Sequence, residues 1–306
     1  MCRHSILDAV PTHMRRHLPA WTRHFPTWFA PFSALFRYHA QRTWAPLYVH
    51  GLCSTASRKS IQPLAAVVVP GNDDPLQRFI TDSPWLTAPL EILLAQRAEE
   101  LLGGRDAVLI IDDTCLTKFG TKSVGVARQY SGQVGKLTNC QCLVSLILAQ
   151  HDIPLPLALR LFLPLEWTND AARCEAIGVP SEHRSPLTKW ELALCELDRV
   201  RQHVTFGVDA GYGVNARFRR ALSARGLLWS VGITRTQTVY PAEVRLIPIP
   251  KHFRGREPKY PTTSARPFGG RADVERGRLA QRSLASRYQG CAFRSIRRRL
   301  CPAGRW

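Results

Sequence analysis

Two acidic positions follow short apolar runs of the sequence. Asp112, with Asp113 beside it, comes directly after the run 107–111, and Asp209 comes directly after 204–208. Short apolar runs of this kind are typical of buried strands, and ligands collect at strand ends in sheets with helical crossovers. Two carboxylates brought together there would repel each other unless Mg²⁺ or Mn²⁺ neutralised them, and such a centre is suited to phosphodiester cleavage. Turn formation and helix capping are the structural alternatives.

The elements around these carboxylates predict an α/β core. Strands are predicted at 107–111, 123–130 and 139–149, and then a helix at 187–200, a strand at 204–208, a helix at 215–225 and a strand at 227–233. Strands that come first, followed by alternating helices and strands, favour a mixed sheet with helices on its faces.

Residues 1–104 predict a helical N-terminal region. Its clearest helix is 88–102, which two glycines end, and Asp73 begins another with a proline in the first turn. One helical segment is predicted over 29–44, inside a stretch rich in aromatic and basic residues. That composition suits either nucleic-acid binding or packing of a helical core.

Charge and cysteine usage narrow the class of protein. The 306 residues carry 42 Lys+Arg against 23 Asp+Glu, a formal charge of +19, and such a balance favours polyanionic partners. The nine cysteines form no regular framework, and Cys140 and Cys142 share one face of a predicted strand. A zinc site there would need two more ligands, and none stands out, so we interpret the two as small buried side chains in a reducing cytoplasm. No apolar run approaches the roughly 18 residues of a membrane helix, and the first 20 residues lack the apolar segment of a secretory signal. We therefore expect a cytoplasmic protein with no membrane partner.

A series of sequence blocks identifies a resemblance to a known family. Over roughly Phe29 to Pro250, the chain resembles the DDE-superfamily transposases of bacterial insertion sequences, specifically the insertion-sequence 701 family. The blocks occur in this order: Ile111–Thr114, Ser123–Gly132, Gly135–Gln141, Leu161–Thr168, Gly178–Pro180, Thr188–Ala193 and Val208–Gly213.

This resemblance implies a fold, an activity and a set of site residues. The fold is an RNase H-like core over 105–250, preceded by the helical region 1–104 as a DNA-binding region. The activity is metal-dependent cleavage of the ends of the element and transfer of the freed 3′-hydroxyl into target double-stranded DNA, with a homodimer on the DNA. Asp112, or Asp113 as the alternative, matches the first catalytic carboxylate and Asp209 matches the second; both would bind Mg²⁺ or Mn²⁺.

The chain departs from the family at its C-terminal end. The family places a third catalytic Glu on a late helix, in a Tyr-x-x-Arg context that has no counterpart in this sequence; the acidic residues after Asp209 are Glu243, Glu257, Asp273 and Glu275. The segment 251–306 holds 15 Lys+Arg and 3 Asp+Glu and has little apolar periodicity. We predict that it is an irregular, Arg-rich and out-of-frame tail, so that the transposase is truncated or frameshifted.

Four basic residues are candidates for phosphate contacts, with ordinary solvated side chains as the alternative: Arg128, Lys136, Lys118 and Lys122. Two other functions stay open beside transposition. One is a catalytically inactive remnant that binds the ends of the element without cutting them, which the missing Glu favours. The other is a metal-dependent nuclease of the same fold without strand transfer.

Overall fold

The computed structural model of the chain describes residues 21–234, 237, 240, 244–248 and 262–266. The chain divides into two compact units, residues 1–94 and 95–306. Within the described ranges, no helix combines the length and the apolar character that crossing a membrane requires. Most of the predicted C-terminal tail, 251–306, lies outside the described residues.

Five helices lie between residues 21 and 102: α1 (Trp21–Ala34), α2 (His39–Cys53), α3 (Ile61–Val68), α4 (Asp73–Thr81) and α5 (Thr87–Leu102). The prediction of one helical segment over 29–44 is wrong, because the chain breaks between α1 and α2. Tyr38 has an extended backbone there, and its N–H donates to the side chain of Gln41 at 3.1 Å. This contact starts a new helix at His39.

The first unit is built around phenylalanine side chains. Four of them lie on α1 and the turn after it, one lies on α4, and all are buried in a single apolar cluster: Phe25, Phe29, Phe32, Phe36 and Phe79. Burial of an aromatic ring stabilises a fold through its large apolar area. These aromatic residues therefore pack the helical core, which was one of the two roles predicted for them.

The second unit contains one mixed sheet of six strands: β1 (Val108–Thr117), β2 (Ala127–Ser131), β3 (Lys136–Gln150), β4 (Ile153–Leu161), β5 (Gly207–Ala210) and β6 (Trp229–Val231). β3 pairs antiparallel with β1 along one edge and with β2 and then β4 along the other. β5 is parallel to β1, and β6 is parallel to β5. The prediction of a mixed α/β sheet is confirmed. A separate two-stranded pair joins β7 (Leu246–Ile247) to β8 (Thr262–Thr263).

Four α-helices of this unit lie in its described part: α6 (Leu165–Thr168), α7 (Ala171–Ala176), α8 (Lys189–Val200) and α9 (Ala216–Ala224). α8 packs against β3 and β4, and its inner side is buried at Ala193, Leu197 and Val200. Asp198 on α8 accepts two hydrogen bonds from the guanidinium of Arg225, which follows α9, at 2.8 and 2.6 Å. These bonds hold the pKa of the Asp198 carboxyl below its usual value. The ion pair ties the two helices together.

The largest differences from the predicted strands are at β1 and β4. β1 does not end at Ile111 but continues through both aspartates to Thr117, because β3 offers a partner to every residue of β1. β4 was not predicted, since it contains Pro154 and Pro156 and prolines usually argue against a strand. It tolerates them because it pairs with β3 alone among the described strands, so its outer edge needs no backbone donors.

Candidate functional site

Asp112 and Asp209 lie on the same face of the sheet. The parallel pairing of β1 and β5 sets Asp209 opposite Ile110, and Asp112 is two residues further along β1. Since side chains alternate along a strand, Ile110, Asp112 and Asp209 share one face. Standard strand spacings place the two aspartate Cα atoms roughly 8 Å apart, because they are separated by two residues along the strand direction and by one strand across the sheet. The sheet therefore brings the two predicted carboxylates together.

Asp112 is exposed, whereas Asp209 is only 8% exposed. The backbone carbonyl of Asp112 accepts a hydrogen bond from the hydroxyl of the buried Ser145, directly across on β3, at 3.0 Å. Its carboxylate oxygen Oδ1 accepts from the Asp113 N–H at 2.8 Å. A Cβ atom on Gly211 would lie 3.4 Å from this oxygen, so the glycine leaves space beside the carboxylate. One carboxylate is thus open to solvent, and the other lies deeper beside it.

Asp113 lies on the opposite face, where cationic and hydroxyl partners occupy its carboxylate. The Lys189 ammonium contacts Oδ2 at 2.9 Å, and the Tyr212 hydroxyl donates to Oδ1. Burial, together with the negative charge of Asp113, raises the pKa of Tyr212, so this hydroxyl keeps its proton. Burial also lowers the pKa of Lys189, but the hydrogen bond and charge of Asp113 outweigh burial, and the net pKa is raised. The sequence left open whether Asp112 or Asp113 is the first carboxylate of the site. In the structure Asp112 is exposed on the face of Asp209, whereas Asp113 contacts Lys189 and Tyr212 on the opposite face.

Lys189 was not recognised from the sequence as a partner of Asp113. It is the first residue of α8, and Thr188 before it caps the helix. The Glu191 side chain accepts from the Thr188 N–H at 2.8 Å, and the Thr188 hydroxyl accepts from the Glu191 N–H. This Thr-x-x-Glu capping box is a sequence signal for a helix start, and it fixes where the lysine stands.

The segment after β5 positions Tyr212. Its ring packs edge-on against Phe218 of α9, with the ring centroids 5.5 Å apart. Next to it, a Cβ atom on Gly213 would lie 2.2 Å from the carbonyl oxygen of Gly232 and 2.7 Å from the Val231 side chain. Only glycine fits this close approach of two backbone segments. The Gly-Tyr-Gly sequence therefore lets the tyrosine reach Asp113.

The four basic candidates occupy different places. Arg128 is exposed on β2 and pairs with Asn139, which by alternation along β3 shares the face of Ser145 and Asp112. Lys136, also exposed, belongs by the same register to the opposite face. Lys118 and Lys122 lie in the loop that follows β1, the first half-buried and the second exposed. The structure thus brings one of the four onto the face of the carboxylates.

The donor set on this face fits a hard divalent cation. Asp112 and Asp209 offer carboxylate oxygens, the ligands that Mg²⁺ and Mn²⁺ prefer. The late acidic residues that could supply a third carboxylate are outside the described residues: Glu243, Glu257, Asp273 and Glu275.

Comparison with known proteins adds the family. A family model described as DDE superfamily endonuclease matches residues 31–292. The chain is 34% identical over 120 residues to a probable transposase for insertion sequence element IS701 from Microchaete diplosiphon, a match that covers 39% of this chain and 32% of that protein. The chain therefore spans about a third of the length of that relative. The family match ends at residue 292 and therefore includes most of the segment that we predict to be out of frame. No comparison tests that prediction. Because the family model covers well over half of the sequence, the chain belongs to the DDE superfamily endonucleases.

Proposed function

We propose that the chain derives from a DNA transposase of a bacterial insertion sequence, and that Asp112 and Asp209 are two of its catalytic metal ligands. The observation that carries this proposal is the placement of both carboxylates on one face of the sheet by the β1–β5 register. The mixed sheet, with antiparallel strands first and parallel strands joined by helices afterwards, supports an RNase H-like core. The transposase named among the relatives supports the same activity.

Asp112 and Asp209 would hold Mg²⁺ or Mn²⁺. The bound cation supplies Lewis acidity for cleavage of a phosphodiester at the end of the element and for attack by the freed 3′-hydroxyl. Ser145 holds the backbone of Asp112 in place, and Gly211 leaves space beside its carboxylate. Asp209, the more buried of the two, would be the more firmly held ligand, since its backbone is paired on both sides by β1 and β6.

Asp113 has a positioning role in this proposal rather than a ligand role. Its carboxylate faces away from Asp209 and is already compensated by Lys189 and bonded by Tyr212. These contacts hold Asp113 on the other side of the sheet, toward α8 and the segment after β5, whereas the register places Asp112 on the face of Asp209. This contrast favours Asp112 as the first catalytic carboxylate.

The partner in this proposal is double-stranded DNA in the bacterial cytoplasm. Arg128 would contact a phosphate further along the same DNA, because it is exposed on the face of the carboxylates but lies opposite Asn139, whereas Asp112 lies opposite Ser145. The loop lysines Lys118 and Lys122 would extend that contact, and Lys136 would contribute only from the other face. The helical region 1–104 would bind DNA as well, and two copies of the chain would act together on paired ends.

A catalytically inactive DNA-binding remnant is the second candidate function. It is favoured by the lack of a Glu in a Tyr-x-x-Arg context anywhere after Asp209 in the sequence. The encoding DNA from codon 240 to several hundred bases past the stop tests this alternative directly. A Tyr-x-x-Arg…Glu segment in another reading frame would establish truncation and predict no cleavage. The absence of such a segment in all three frames would overturn the frameshift hypothesis.

A plasmid-nicking assay tests the proposed activity. The full chain is incubated with supercoiled DNA and Mg²⁺ or Mn²⁺, beside Asp112→Ala, Asp209→Ala and the exposed control Glu182→Gln. The proposal expects nicking that needs the cation, is lost in both aspartate variants and persists in the control. Binding of DNA without nicking would support the remnant, and nicking that survives both aspartate substitutions would contradict the proposed site.

A further inference from the structure

Three cysteine sulfur atoms lie together on the face of the sheet opposite the two carboxylates. The Sγ atoms of Cys115, Cys140 and Cys142 are all within 4.8 Å of one another. The register explains this cluster, because Cys115 on β1 is directly opposite Cys142 on β3, and Cys140 is two residues away on the same face of β3. In the sequence, only Cys140 and Cys142 are close neighbours. Cys115 is 25 residues before Cys140 and comes close to it through the pairing of β1 with β3.

The spacing of the sulfurs is close to that of a thiolate metal site. Tetrahedral Zn²⁺ with Zn–S bonds of about 2.3 Å separates its sulfur ligands by roughly 3.8 Å. Cys140 and Cys142 have their sulfurs 4.0 Å apart, and the sulfurs of Cys115 and Cys142 are 2.7 Å apart. A shift of the Cys115 sulfur away from Cys142 by about 1 Å gives the separation of sulfur ligands that a tetrahedral cation requires. Cys115 is the partly exposed member of the cluster.

The surroundings suit an anionic metal–thiolate group. Three thiolates around a divalent cation carry one net negative charge, and the Lys189 ammonium interacts with Cys142 as well as with Asp113. Cys174 is a useful contrast, because it is equally buried but its sulfur stands apart from the others and donates to the carbonyl of Trp167 at 3.2 Å. The clustered cysteines thus combine sulfur neighbours with a nearby ammonium that they share with Asp113, and Cys174 has neither among its described contacts.

We propose that Cys115, Cys140 and Cys142 bind one thiophilic divalent cation, such as Zn²⁺, with water in the fourth position. As each sulfur–metal bond forms, the thiol releases its proton to solvent, so no oxidant or reductant takes part. The site is distinct from the carboxylate pair, because thiolates select soft cations whereas carboxylates select Mg²⁺ and Mn²⁺. The cation would cross-link β1 to β3 a few residues from Asp112, and it would stabilise this part of the sheet. The proposal does not depend on the transposase activity.

Cobalt titration tests the site without any activity assay. The full chain, reduced and free of oxygen, is titrated with Co²⁺, and the thiolate charge-transfer absorption is followed. We expect one Co²⁺ per chain, displaced by Zn²⁺. The affinity for Co²⁺ should be at least about 100-fold lower in Cys115→Ser, because loss of a ligand costs more than the 10–100-fold that loss of a residue hydrogen-bonded to a ligand costs. Cys115→Ser is the most informative variant because this cysteine is partly exposed, so its replacement is compatible with folding.

Two controls separate the site from general thiol binding. Cys174→Ser removes an isolated buried cysteine and Cys195→Ser an exposed one, and both should keep the wild-type absorption and stoichiometry. The proposal is overturned if no charge-transfer band appears, or if Cys115→Ser binds Co²⁺ as tightly as the wild type. A Cys115–Cys142 disulfide that persists in the reduced protein would overturn it too.

Discussion

The two neighbouring aspartates should respond in opposite ways to removal of their carboxylates. Asp113→Ala leaves the Lys189 ammonium and the Tyr212 hydroxyl without their shared acceptor, so it should destabilise the second unit and leave metal binding intact. Asp112→Ala removes an exposed carboxylate, so it should change stability little and abolish metal binding. The two substitutions are at adjacent positions in the sequence and on opposite faces of the sheet.

The expected magnitudes follow from the contacts. A hydrogen bond to a charged group contributes about 1.5–3 kcal/mol. Asp113 accepts two such bonds, but the side chains of Asp113 and Lys189 stay 26% and 24% exposed, so water compensates part of the loss. We expect a loss of about 2 kcal/mol for Asp113→Ala, or about 4–8 °C in the unfolding midpoint of a unit of this size. Asp112→Ala should cost less than about 1 kcal/mol, as for other exposed positions.

Thermal unfolding with and without Mn²⁺ measures both effects in one experiment. At ten times its dissociation constant, a ligand of the folded state adds about 1.4 kcal/mol of stability. The wild type and Asp113→Ala should show this increase, and Asp112→Ala should not. The reasoning is refuted if Asp112→Ala destabilises as much as Asp113→Ala, or if Asp113→Ala is the variant that loses the Mn²⁺ effect.

Three further predictions concern packing, pH and DNA. Gly213→Ala should destabilise by more than about 2 kcal/mol in urea unfolding because its methyl group would meet backbone, whereas Gly132→Ala, with open space around it, should have little effect. Asp198→Asn should cost at most about 1 kcal/mol at neutral pH. Because the folded pKa of Asp198 is lowered, that difference should start to shrink as pH falls below the usual aspartate pKa and should be gone once pH has also fallen below the lowered folded pKa; a difference that persists below both would contradict the ion pair. Arg128→Ala should weaken DNA binding several-fold and reduce the salt slope by about 1, more than Lys136→Ala does, and equal effects would contradict the assignment of a DNA-binding face.

Local patterns in the sequence were sufficient to predict most of the sheet. The apolar runs before Asp112 and Asp209 predicted two strands, and the structure has β1 and β5 there. The length of β1 was not predictable in the same way, since residues after Ile111 are polar and are held in a strand only by pairing with β3. β4 was missed for a related reason, because its prolines are acceptable only at an edge, and an edge is a property of the assembled sheet.

The site shows the same limit. The sequence indicated two candidates for one carboxylate, and alternation along a strand separates Asp112 from Asp113 only once the register with β5 is known. Lys189 is 76 residues from Asp113, and Cys115 is 27 residues from Cys142, so neither contact has a local signal. What the sequence did contain was the capping box before Lys189, which fixes the start of α8 but not the partner of the lysine.

The pairing of β1 on both of its edges also bears on the order of folding. On one edge β1 pairs with β3, whose Gln141 opposite Leu116 comes only 25 residues later in the chain, whereas on the other edge Val108 pairs with Gly207. Contacts between distant residues form more slowly because closing a longer loop costs more entropy. We expect the antiparallel strands to assemble first, also on the ribosome, where Asp112 emerges long before Asp209. A partly synthesised chain would then hold a folded β1 with Asp112 but without Asp209, and the proposed Mg²⁺ or Mn²⁺ site would be complete only when synthesis has passed β5.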